Sequence, residues 1–207
     1  MLKRTKGRLL LTLLVITGLA GTINDTAISG KERKTAAVLM KETKADLFKS
    51  VKHLSAVQLD YKTSAESWSV KECVYHIATT EKTLGKLLEM SMKGPANPEK
   101  RALIKLSDEE FIKRIESREK KVKTSEALEP KNASYKSLEE ALADFKLQRT
   151  AHIKYVRTTT EDLRNHVVEM PFGAIDCYQL TLMFGAHTER HIQQLKEVMK
   201  DPGFPKD

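Results

Sequence analysis

Glycine and proline are scarce in this chain, 9 and 6 among 207 residues, and runs of β-branched or aromatic residues are few. That disfavours a molecule divided into many short strands and points to helices. No internal repeat or low-complexity segment is present, which excludes a solenoid. No basic run is interleaved with aromatics, so nothing marks a nucleic-acid interface. The only 2 cysteines are Cys73 and Cys177, an even count that invites a disulfide in an oxidising compartment. Long apolar runs are also missing. The longest, Leu9 to Ala20, has 12 residues, short of the roughly 20 that a membrane-spanning helix needs.

That run follows Lys3, Arg4, Lys6 and Arg8 and ends in Gly18-Leu19-Ala20. A basic head, an apolar centre and a small-x-small close form the pattern of a secretory signal, so residues 1–21 are read as a leader. The alternatives are an uncleaved N-terminal membrane anchor or an amphipathic start. No cysteine follows the run, which argues against a lipid anchor. The expected location is exported, periplasmic or secreted, with 22–32 as a linker and 33–207 as one domain. The formal charge of +8 includes four positive charges from the leader, leaving a mild excess of +4 afterwards. With 40% hydrophobic and 31% charged residues, the remainder is an ordinary globular mixture large enough for a core.

Apolar periodicity predicts four long helices. The first spans Glu32 to Val57, with Met40, Leu47, Val51 and Leu54 on one face. The second opens at the capping box Ser69-Val70-Lys71-Glu72, runs to Met92 and stops at Gly94-Pro95. Trp68, just before the cap, packs the core or lines a pocket. A long connection carries an extra helix from the box at Ser107 to Lys123, and Arg118 to Lys123 reads as a solvated helix face. The third main helix runs from the Ser137 box to Thr160, with Arg149 and His152 facing inward. A loop at Met170-Pro171-Phe172-Gly173 precedes the fourth, Ile175 to Met199, and Phe204-Pro205 forms an apolar tail. The expectation is an all-α four-helix bundle, up-down-down-up, because the long link between helices two and three permits a crossover while short links favour antiparallel neighbours.

His187 and His191 share one face of the fourth helix, about 6 Å apart along its axis. Both fall within its apolar stripe, while His76 lies on the second helix with Glu72, Cys73, Thr80 and Thr83. Buried imidazoles cost desolvation, so they need hydrogen-bond partners or a shared metal. Spacing alone leaves both readings open, because His-x-x-x-His also recurs by chance.

Ser67-Trp68-Ser69-Val70-Lys71-Glu72-Cys73-Val74-Tyr75-His76 resembles the helix-two signature of the DinB-like family of damage-inducible, metal-binding bundles. Ala186-His187-Thr188-Glu189-Arg190-His191-Ile192-Gln193-Gln194-Leu195 resembles that family's helix-four motif. The likeness extends over residues 33–205. It implies an up-down-down-up bundle with His76, His187 and His191 as ligands of a divalent metal: zinc first, nickel or iron otherwise. It implies a hydrolase or a thiol S-transferase acting on a small-molecule substrate, and often a homodimer. A non-catalytic metal-containing binding module is the alternative. Three neutral ligands leave the cation its full charge, enough to lower the pKa of bound water or to deprotonate a bound thiol. Low-molecular-weight thiols are cytosolic, so an exported member would use another nucleophile, water foremost.

Catalytic helpers are weaker. Glu72 is a candidate base but also the capping-box acid. Arg190 and Arg149 are candidate anion binders, though buried pairing is the plainer role for each. Glu81, about 140° around the helix from His76, reads as surface or interhelical. Gly185 would admit a neighbouring helix or substrate, and His53 and His166 look peripheral. Cys73 is a small core residue, a fourth ligand or a reactive thiol. In the antiparallel arrangement Cys177 stands about 15 Å from the level of His187, too far for a disulfide with Cys73.

Overall fold

In a computed structural model, residues 27–206 are described, and the leader and residues 22–26 of the proposed linker lie outside them. The long helices are α1 (Gly30–Val51), α3 (Val70–Lys93), α5 (Leu138–Thr158) and α6 (Cys177–Met199). Shorter ones are α2 (Ala56–Asp60) and α4 (Asp108–Glu116), and a hairpin joins β1 (Val167–Met170) to β2 (Gly173–Asp176).

Capping sets most helix starts. Ser29, Ser55, Ser69 and Ser107 each accept from a backbone N–H three residues on, and an acidic or amide side chain there returns the bond. At Ser137 only half the box forms, because the Glu140 carboxylate accepts from Lys136 N–H instead.

The first helix starts at Gly30, inside the expected linker, and breaks after Val51 so that Ser55 can cap α2. The extra helix ends at Glu116 rather than Lys123, because Ser117 turns extended. Arg118 to Lys123 is therefore not a helix face: Arg118 bonds Gln194 and Glu197, and Lys120 lends its carbonyl to Arg190. The expected loop at 170–173 is instead a hairpin turn, with Met170 paired to Gly173. Gly173 has φ +129°, which side-chain-bearing residues rarely adopt. Four-residue strands carry too little alternation to be read from sequence. The hairpin delivers Asp176, which caps α6 by accepting from Gln179 N–H.

The bundle runs up-down-down-up. Glu81 meets Arg149 and Gly85 meets His152, so α3 and α5 are parallel. Tyr178 meets Glu32 and Lys196 meets Asp46, so α1 and α6 are parallel. Arg33 meets Val156 while Thr43 meets Arg149, so α1 and α5 are antiparallel. Both α1 and α3 pack on α5 and α6. The first two long helices thus stand on a diagonal rather than side by side, a departure from the short-link expectation. At Gly185 a Cβ would lie 2.4 Å from Leu39 Cγ, so that glycine admits α1 and not a substrate. The tail does tuck in: Phe204 meets Tyr61 edge-on at 5.6 Å and the Gln58 amide donates to Pro205 O.

Two apolar clusters fill the bundle, one around Phe184, Leu180 and Tyr178, the other around Phe145, Ile192 and Leu195. A polar layer separates them. Arg149 is 0% exposed and donates to Glu81, Met40 O, Thr43, Phe184 O and Thr188. Glu81, expected at the surface or between helices, is buried between α3 and α5 because α3 packs on two neighbours and buries a wide arc. Burial pushes its carboxyl up, but the Arg149 charge and hydrogen bonds, with help from His152, outweigh this and hold its pKa below the ordinary value. Its ionised form therefore contributes stability above the unfolded pKa, lost as pH falls through the lower folded one.

Arg149→Met should cost about 3–5 kcal/mol at pH 7, because it strands a buried carboxylate. The double variant with Glu81→Leu should recover much of that. Urea unfolding of the three proteins measures both.

Candidate metal centre

His76 lies in the second turn of α3, and His187 and His191 lie on successive turns of α6. The antiparallel packing of these helices brings the three rings together. His187 Nε2 is 3.2 Å from His76 Nε2 and 3.2 Å from His191 Nε2, and the three candidate ligand atoms lie within 4.8 Å of one another. A tetrahedral zinc with bonds of about 2.05 Å sets its ligand atoms about 3.3 Å apart.

The opposite ring edges are tied off. His76 Nδ1 lies 2.8 Å from Leu128 O, a pure acceptor, so it must carry the proton. His191 Nδ1 likewise donates to Gln194 Oε1 at 2.8 Å. In the neutral rings, both Nε2 atoms then present lone pairs toward His187 Nε2. That atom can donate to one of them at most. A cation at the centre satisfies all three lone pairs at once; without it, the Thr80 hydroxyl, 3.5 Å from His76 Nε2, is the other donor in reach. Such outward ties also orient and strengthen imidazole ligands.

Electrostatics favours the neutral ligand form. Burial lowers the His76 pKa, partly opposed by the Leu128 carbonyl. Burial also holds His187 and His191 well below the usual histidine value, and the neighbouring histidines push them further. His76 and His191 are buried and His187 is partly exposed, so the cluster opens on the His187 side.

Trp68 packs against the apolar core, as expected, and also stands against the histidine cluster. Its ring lies 4.8 Å from His76 and stacks on His191 at 5.9 Å. Two contributors were not assigned a role from sequence. The Leu128 carbonyl belongs to a short turn of the long connection, and a backbone acceptor has no residue signature. Thr80 lies one turn beyond His76, and its hydroxyl is 3.5 Å from His76 Nε2. Thr43, Thr83, Thr150, Thr158 and Thr188 all donate to the carbonyl four residues back. Thr80 turns its hydroxyl to the cluster instead, and it is buried there. Its place on the His76 face was readable from spacing, but its rotamer was not.

The catalytic candidates are otherwise committed. Glu72 closes the capping box with Ser69 and pairs with Lys62. Arg149 spends its donors in the polar layer and faces no open site. Arg190 donates to Lys120 O. Cys73 is 0% exposed and burial pushes its thiol up to about 12, which removes it as a nucleophile. Both cysteines are free. His166 donates from Nδ1 to Ser91 O at 3.0 Å, and His53 is exposed.

The sequence profile of the DinB superfamily matches residues 39–195. The chain belongs to the DinB superfamily. It is similar to the uncharacterized protein YuaE of Bacillus subtilis (strain 168), 27% identical over 162 residues, covering 77% of this chain and 94% of that one. Among solved structures it is similar to YfiT from Bacillus subtilis, described as a probable metal-dependent hydrolase with an unusual four-helix bundle topology. That likeness has a TM-score of 0.59 at 16% identity and covers 86% of this chain and 92% of YfiT, which supports the shared fold.

Purified protein should bind about one divalent ion per chain and gain thermal stability from it. His187→Ala should abolish both, as read by elemental analysis and melting curves.

Proposed function

We propose that this DinB-superfamily chain is a divalent-metal enzyme that hydrolyses a small molecule at His76, His187 and His191, with zinc the foremost metal. The observation that carries the reading is the convergence of three Nε2 atoms, two of them on rings whose Nδ1 atoms are already donating. The description of YfiT adds weight by analogy.

A divalent ion in such a site supplies Lewis acidity toward a coordinated water or thiol. The protein's own groups do the rest. Leu128 O and Gln194 fix ring orientation. The Trp68 ring packs against two of the imidazoles. The Thr80 hydroxyl can hold a hydrogen bond to a molecule entering beside His76. With Cys73 sealed in the core, its thiol is not the nucleophile. Water fits an exported protein. Export itself is part of the proposal, supported by the tripartite pattern of residues 1–21.

One observation favours a second reading, a non-catalytic metal-containing binding module. Among the described residues no carboxylate is hydrogen-bonded to the histidine cluster, so no general base is in place.

A screen of ester, amide and thiol-conjugation substrates with zinc-, nickel- and iron-loaded protein decides between them. Ester or amide turnover that His187→Ala removes supports the hydrolase; thiol conjugation alone points to a transferase, and inactivity with every loaded metal to a module. Thr80→Val should lower kcat about tenfold, the usual scale of a lost positioning hydrogen bond, while Thr80→Ser retains it. Native protein should lack residues 1–21 by intact mass.

A further inference from the structure

The connection between α4 and α5 has no regular structure from 117 to 125, and it closes with a single turn at Glu126–Leu128. None of the described side chains from 117 to 129 belongs to either apolar cluster, and Val122 is 75% exposed. Apolar burial therefore does little to hold this strap, and a segment of that kind opens at low cost.

What fastens it to α3 and α6 is polar, and the ties gather at the histidines. Leu128 O accepts from His76 Nδ1 at 2.8 Å. Arg118 donates to Gln194 Oε1 at 3.4 Å, and the same oxygen accepts from His191 Nδ1 at 2.8 Å. Arg118 also pairs with Glu197 at 2.8 Å. Arg190, beside His191 in the chain, donates to Lys120 O at 2.8 Å.

We infer that the strap 117–129 is a metal-coupled latch: metal binding at the three histidines tightens the strap, and the closed strap tightens the site, with Arg118 as the positioning residue for His191. The inference rests on the metal reading above.

The coupling is chemical. With a cation on Nε2, the Nδ1–H of an imidazole becomes a stronger, charge-assisted donor. Both acceptors belong to the strap or are held by it: Leu128 O is its own backbone, and Gln194 Oε1 is shared with Arg118. Linkage makes the effect reciprocal, so a strap that opens must weaken the metal site by the same factor. Charge alone predicts the opposite sign for Arg118. Its guanidinium stands two hydrogen bonds from the His191 ring and repels a divalent ion.

The test is limited trypsin digestion of the full chain, in EDTA or in saturating zinc, read by mass spectrometry. Lys120, Lys121 and Lys123 are exposed, and cleavage there follows the population of open strap. Lys105, exposed near the start of α6 at the far end of the bundle, is the internal reference. Zinc should slow strap cleavage about tenfold relative to Lys105, the lower end of what an outer tie to a ligand histidine is worth. Arg118→Met should return fast strap cleavage in zinc and raise the zinc Kd about tenfold, with no change of melting temperature in EDTA. Arg118→Lys keeps the charge but cannot bridge Gln194 and Glu197 together, so its zinc Kd should fall between the two. Zinc that binds without slowing strap cleavage overturns the coupling and leaves the metal reading standing; a chain that takes up no zinc overturns both. Arg118→Met that binds zinc as tightly as the unaltered chain, or more tightly, overturns the latch.

Discussion

The buried contact between Arg149 and Glu81 is the constraint on which the rest of the bundle depends. Apolar helix faces are tolerant of sliding, because one methyl packs about as well as the next. A guanidinium buried at 0% exposure is not. Arg149 on α5 must find Glu81 on α3, Met40 O and Thr43 on α1, and Phe184 O and Thr188 on α6, all at once. A shift of one turn in any helix would leave a charged donor or acceptor unpaired in a dry interior, at a cost of several kcal/mol. The pair therefore specifies register more than it adds net stability. Its position matters for the histidines. Thr188 adjoins His187, and Glu81 lies little more than one turn from His76, so the layer that aligns the helices also sets the height at which their imidazoles meet.

Above that layer a second chain of contacts holds the rings. The long connection between α3 and α5 folds over the cluster and returns two ties. One is direct, from Leu128 O to His76. The other is relayed: Arg118 donates to Gln194, whose amide oxygen accepts from His191. At the far end of the bundle Arg164 binds Glu32, Asp108 and Asp176, fastening α1, α4 and the cap of α6. The end that holds the histidine cluster is thus oriented by single hydrogen bonds, while the opposite end is locked by a charge cluster.

The parts legible in the sequence are those set by local rules. Capping boxes at Ser69 and Ser107 gave helix starts, because a cap involves residues three apart. The His187–His191 spacing gave a shared face for the same reason, and apolar periodicity gave the four long helices. What stayed hidden depends on partners distant in sequence or on backbone. The burial of Glu81 follows from α3 touching both α5 and α6. The Leu128 carbonyl has no residue identity to read. The β1–β2 hairpin is too short to show alternation, and the end of α4 at Glu116 reflects where the connection must turn to cover the cluster. Arg118 read as solvated because its neighbours are lysines and a glutamate; its partners on α6 are more than seventy residues away.

The same geometry bears on what chemistry the cluster can support. Its ligand atoms belong to three neutral rings, so nothing in the donor set reduces the charge of a divalent ion. The Thr80 hydroxyl beside His76 is far too weak an acid or base to drive proton transfer by itself near neutral pH. Carboxylates that could serve are already spent: Glu72 on a cap, Glu81 on Arg149. Under the proposed reading, a divalent ion held by His76, His187 and His191 would stand in for the general base used elsewhere, by acidifying an incoming nucleophile. Thr80 and Trp68 can orient and shelter that nucleophile, but the chain selects it mainly through what can reach the partly exposed side of His187. Reaction type in such a bundle therefore depends less on the ligands, which many chemistries share, than on the opening above them.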